Sequence, residues 1–79
     1  MTTHSLKILP QYFSAVLSGD KTFEIRNNDR NFQVGDFVLL KEFDINENHY
    51  TGKSVKVQIK YLTDYKQNYG YVVFSFKIV

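Results

Sequence analysis

Seventy-nine residues with ten basic and eight acidic side chains and no cysteine make one small domain, near the lower limit of what a single core stabilises. The missing cysteines exclude disulfides, thiolate metal centres and thiol redox chemistry, and fit a reducing compartment. A net charge of +2 and a pI near 8.9 fall short of dedicated nucleic-acid binders, which often exceed a pI of about 9.

The N-terminus, Met1-Thr2-Thr3-His4-Ser5, lacks the basic-then-apolar layout of a signal peptide, and no apolar run is long enough to span a bilayer. The expectation is a cytoplasmic, non-membrane protein formed by a single domain over residues 1–79. Ser5 to Leu9 reads as a first strand. Pro10 suits the opening turn of a helix, where its missing N–H costs nothing. Phe13, Val16 and Leu17 then share one apolar face, and Gly19 is placed to end the helix.

From Thr22 the period changes to two. Phe23 and Ile25 point to one side of the strand, and Thr22, Glu24 and Arg26 to the other. Asn27 to Asn31 is a polar loop, and Val34-Gly35-Asp36 a turn into a strand from Phe37 to Phe43. Asp44 to Gly52 reads as an Asn- and Asp-rich loop. Val55, Val57, Ile59 and Tyr61 alternate with polar residues as a half-buried strand. After a connection over Asp64 to Gly70, Val72, Phe74, Phe76 and Ile78 share one face of a closing strand. The pattern predicts an α+β domain, with one N-terminal helix packed beside about five strands. Closing those strands into a small barrel removes exposed edges.

The polar chemistry is concentrated at Gly19-Asp20-Lys21-Thr22-Phe23-Glu24-Ile25-Arg26. This stretch resembles G-x-K-x-x-E-x-R, the signature of ASCH domains, a branch of the PUA-like β-barrels for which RNA binding has been inferred. The resemblance extends to small bacterial and phage ASCH-like proteins with an RNA-binding-like motif, of the DUF3850 type. It is carried by His4-Ser5-Leu6-Lys7-Ile8-Leu9-Pro10-Gln11-Tyr12-Phe13-Ser14-Ala15-Val16, by Phe23 to Arg30, by Phe32-Gln33-Val34-Gly35-Asp36 and by Gly70-Tyr71-Val72-Val73. It implies a PUA-like barrel whose ligand site is the cleft between helix and barrel, lined by Lys21, Glu24 and Arg26.

Each of these side chains has a physical role to offer. The planar fork of Arg26 suits a phosphate or a guanine edge. Lys21 is a mobile point charge, and Glu24 can accept from an exocyclic amine or hold Arg26 in position. The structural alternative is an ion pair between Glu24 and Arg26 beneath the helix. An exposed pair is worth only about 0–1 kcal/mol, whereas breaking a buried one costs roughly 3–5 kcal/mol.

Arg30 lies close enough in sequence to share a phosphate with Arg26. Asn28 is a weaker binding candidate, since Asn is a natural turn residue. Tyr69, with Tyr65, stands near Lys66 and could stack a base, or could instead tuck its loop onto the barrel. Tyr61, on the apolar face of its strand, is expected in the core. Lys56 and Lys60 form a basic row, more often a solvated face than a binding site.

Other motifs fail. Thr51-Gly52-Lys53-Ser54 ends like a phosphate-binding loop, but Glu47 takes the place of the first glycine and a strand follows where a helix is required. Asp44-x-Asn46-x-Asn48 opens like a calcium loop but lacks the turn glycine and the closing glutamate. His4 and His49 match no metal-ligand spacing. No metal or cofactor is implied.

Some ASCH-like proteins are amidohydrolases on acetylated cytidine, using a lysine, a threonine and a glutamate. Lys21 matches the lysine, but Glu24 stands where the threonine belongs, and the last acid is Asp64, so no late glutamate is present. A carboxylate cannot form the same acyl intermediate in the same way. The expected partner is RNA or a nucleotide-like ligand. A hydrolase acting on a modified nucleoside and a protein-interaction module are the alternatives.

Overall fold

The computed structural model describes residues 1–79. In chain order it contains β1 (Thr3–Ile8), α1 (Pro10–Ser18), β2 (Phe23–Asn27), β3 (Phe37–Asp44), β4 (His49–Thr63) and β5 (Tyr71–Ile78). The strands form one curled sheet in the order β1-β3-β4-β5-β2, with β1 parallel to β3 and the other neighbours antiparallel. This is a half-barrel with one short helix, in keeping with the α+β expectation.

The inner face carries Leu6, Ile8, Val38, Leu40, Val57, Ile59, Val72, Phe74 and Phe76, and Phe13 and Val16 of α1 and Phe32 complete the core. Pro10 opens α1, and Gly19 closes it in the left-handed region at φ 86°, its N–H reaching the Val16 carbonyl. A side chain there would strain the cap.

Five details depart from the sequence expectation. The first strand is shifted to Thr3–Ile8. Leu17 is exposed, because the helix meets the sheet through Phe13 and Val16 only. The loop expected over Asp44 to Gly52 is a short turn, since β4 begins at His49 and extends the β3–β4 hairpin. Tyr61 lies outside the core, because the ladder with β5 shifts between Ile59 and Tyr61. One unpaired residue reverses the facing of everything after it, and Leu62 becomes the next residue against the core. Ile78 is half exposed, because β5 outruns the core at its end.

The curl stops short of a closed barrel. β1 and β2, consecutive along the chain through α1, are the two edges of the sheet. Two guanidinium groups span the seam between them. Arg26 Nη2 donates to the Lys7 carbonyl at 2.7 Å, and Arg30 Nη1 to the Ser5 carbonyl at 2.6 Å. Edge carbonyls left unpaired are a template for unwanted strand addition, and here arginine side chains occupy two of them.

Candidate functional site

The seam opens into the largest cleft of the molecule, about 440 Å³. Its walls include Lys7 and Ile8 at the end of β1, Leu9 just after it, Tyr12 on α1, Lys21 just before β2, and Phe23, Glu24, Ile25 and Arg26 along β2. Strand β2 is reversed relative to ordinary burial. Glu24 is only 6% exposed, while Phe23 and Ile25 are 44% and 51% exposed. The ladder explains the reversal, because Glu24 pairs with Phe74 of β5, the centre of the core, and directly opposite residues share a face.

A buried carboxylate needs compensating charge. Lys21 Nζ lies 2.9 Å from Glu24 Oε1, and Arg26 Nε donates to Oε2 at 3.3 Å. Lys21 also donates to the Phe23 carbonyl at 2.6 Å, and its ammonium lies 5.0 Å from the centre of the Phe23 ring. Although the Lys21 charge is close, it is off the angle of a hydrogen bond, so Oε1 is a buried oxygen with no directed donor. It is the only buried side-chain polar atom of the chain left in that state. The cleft is therefore lined by a buried carboxylate whose Oε1 lies beneath the Lys21 ammonium, by two cations and by an apolar rim of Tyr12, Phe23 and Ile25.

The remaining candidates separate from this group. Arg30 lines a neighbouring depression with Leu6, Asn27, Asp29 and Phe32, and Arg26 belongs to both. The Asn28 side chain accepts from the Phe32 N–H at 2.8 Å, and its own N–H reaches the Gly70 carbonyl, which makes it a loop clamp. Tyr69 is fully exposed and lines none of the cleft. Thr22, the hydroxyl nearest the signature strand, lines a different depression with Val16 and Phe76.

Sequence reasoning missed a second buried polar pair. His4 Nε2 and Asp36 Oδ2 are 2.8 Å apart and nearly inaccessible. The Gln33 and Thr2 N–H groups also donate to Asp36, at 3.1 and 3.4 Å. The His4 hydrogen bond, opposed by burial, holds the Asp36 carboxyl below its ordinary value of 3.8, and the two backbone donors reinforce it. The only advance signal is parity, because His4 shares its strand face with Leu6 and Ile8.

A family profile described as a domain of unknown function matches residues 3–76. The chain belongs to the DUF3850 family. The match takes in the helix, β1 to β4 and all but the last two residues of β5, and thus the whole cleft of this DUF3850 domain. It is also similar to the "Uncharacterized 12.9 kDa protein in GpA 3'region" of Escherichia phage P2, at 38% identity over 61 residues, covering 77% of this chain. The aligned region is 54% of that phage protein, so the chain spans about half the relative's length. No helix of the DUF3850 domain is long and apolar enough to cross a membrane.

Proposed function

We propose that this domain binds a nucleobase-bearing ligand, RNA or a nucleotide, in the cleft between β1, α1 and β2. The observation that carries the reading is the Glu24 carboxylate in the lining of an open cleft, with Lys21 over its Oε1 but no directed hydrogen bond to that oxygen. With Lys21 swung aside toward a phosphate, a base amino group supplies that donor, while the ring lies against Tyr12, Phe23 and Ile25 and the phosphate meets Lys21 or the unused guanidinium hydrogens of Arg26. The resemblance of the Gly19 to Arg26 segment to ASCH domains, and through them to PUA-like barrels, supports the same assignment. With Thr22 outside the cleft, the reading favours binding over amidohydrolase chemistry.

The test is fluorescence anisotropy with labelled single-stranded RNA at two salt concentrations, comparing wild type with Glu24→Gln and Arg26→Ala. Affinity should fall with salt and drop in both variants while circular dichroism stays native. It should be higher for oligocytidylate than for oligouridylate, which lacks an amino group. Equal affinity in wild type and Glu24→Gln would sink the cleft as the site.

A further inference from the structure

Lys7 is the hinge between the cleft and a second patch on the β3–β4 hairpin. Besides lining the cleft, its ammonium lies 4.4 Å from the centre of the Phe43 ring and 5.9 Å from that of Tyr50. Lys7 pairs with Lys41 across the parallel β1–β3 ladder, and Lys41 with Ser54 across β3–β4. Lys41 Nζ is 5.6 Å from the Tyr50 ring centre, and Phe43 and Tyr50 meet edge to face at 5.1 Å.

Like charges directly opposite on adjacent strands repel and destabilise a sheet. Neither Lys7 nor Lys41 has a carboxylate partner, and Lys53, which lines a hollow with Lys41, Tyr50, Gly52 and Ser54, has none either. A bulge builds this hollow. Between the pairs Lys41–Ser54 and Phe43–Tyr50, the residues Thr51, Gly52 and Lys53 stand opposite Glu42 alone. Gly52 takes φ 93°, and the Thr51 hydroxyl turns in to donate to Glu42 Oε1 at 2.7 Å. Bulges of this kind re-aim side chains beside functional sites. The stretch Thr51-Gly52-Lys53-Ser54 is no phosphate loop, but the bulge sets Lys53 and Ser54 beside Lys41.

We propose that the ligand is a single strand of several nucleotides, not a free nucleotide, and that it runs from the cleft over Lys7 onto this hairpin. Lys7, Lys41 and Lys53 take successive phosphates, and the half-exposed Tyr50 stacks the base next to the one held in the cleft. This rests on the reading of the cleft as a nucleobase site, and adds a strand length and a path. Stacking and phosphate contact along a groove are the two sequence-tolerant sources of single-strand affinity.

The experiment is a length series, with cytidine and adenosine 5′-monophosphates against the matching di-, tetra- and hexaribonucleotides. Binding is measured for wild type, Tyr50→Ala, Tyr50→Phe, Lys41→Ala/Lys53→Ala, Lys41→Arg/Lys53→Arg and Glu24→Gln. The hexanucleotide should bind at least about tenfold tighter than its monophosphate, as one stacked base contributes roughly that factor. Its salt slope should steepen by about 0.7 for each phosphate engaged. The Tyr50→Ala and double-alanine proteins should lose this gain while binding monophosphate as before, and the phenylalanine and arginine versions should keep it.

A hexanucleotide held no tighter than the monophosphate, or a length gain that survives in the alanine variants, overturns the path and leaves the cleft reading standing. Oligonucleotide binding that depends on Tyr50 and the lysines but ignores Glu24→Gln leaves a surface strip and overturns the cleft reading. Binding of neither ligand class overturns both.

Discussion

Asp36 and Glu24 are both buried carboxylates, and they are treated in opposite ways. Asp36, 4% exposed in the turn into β3, receives hydrogen bonds from His4, Gln33 and Thr2. Glu24, the second residue of β2 and nearly as buried, has cations beside both oxygens but no directed donor to Oε1. A satisfied buried carboxylate ties elements together. One that lacks a directed hydrogen bond forgoes part of that stabilisation. Burial alone does not distinguish the two carboxylates, whereas the completeness of their hydrogen bonding does.

The largest expected effect comes from destroying the satisfied site. Asp36→Ala leaves His4 and two backbone N–H groups without their acceptor and should cost about 3 kcal/mol of stability in urea unfolding. In a domain of this size that lowers Tm by roughly 12–24 °C. RNA binding at temperatures where the variant is folded should be unchanged. If the stability loss is small, the His4–Asp36 pair is not the tie described.

Glu24→Gln should show the reverse profile. Stability should fall by roughly 1–3 kcal/mol, since Lys21 and Arg26 lose a largely buried counter-charge while the glutamine oxygen still accepts. Affinity should fall about tenfold, as a neutral amide oxygen is a weaker acceptor than a carboxylate. A variant that loses as much stability as Asp36→Ala but binds like wild type while folded would place Glu24 with Asp36 and erase the comparison.

Acid titration sharpens the contrast further. Because folding lowers the Asp36 pKa from its ordinary 3.8, the associated stability is fully present above that value and disappears as pH falls through the folded one. Unfolding free energies measured down a pH series should drop there in wild type, and Asp36→Asn should flatten that part of the curve. An unchanged curve would rule out Asp36 as the source of the acid sensitivity.

The smallest effect concerns the seam. Removing the Arg30 bond to the Ser5 carbonyl through Arg30→Ala should cost about 0.5–1 kcal/mol, read by urea unfolding, with faster amide exchange along β1. The same exchange rates as wild type would show that Arg26 alone holds the edge.

The sequence by itself determined the helix and the grouping of the candidate site. Pro10 and Gly19 bracket α1 through local backbone preferences, and Val72, Phe74 and Phe76 mark the inner face of β5 by their period. Spacing of two puts Glu24 and Arg26 on one side of β2 in any fold that extends it, and Lys21, which the family resemblance groups with them, lines the same cleft. Tertiary structure alone decided which side of β2 faces inward. Alternation separates two faces but does not say which is buried, and pairing Glu24 with Phe74 turned the acid in and left Phe23 and Ile25 out. The bulge that expels Tyr61, the meeting of His4 with Asp36 across 32 residues and the meeting of Lys7 with Lys41 likewise depend on ladder register. Register is a property of two strands at once, set by how their faces pack against a shared core, so neither strand's own residues contain it.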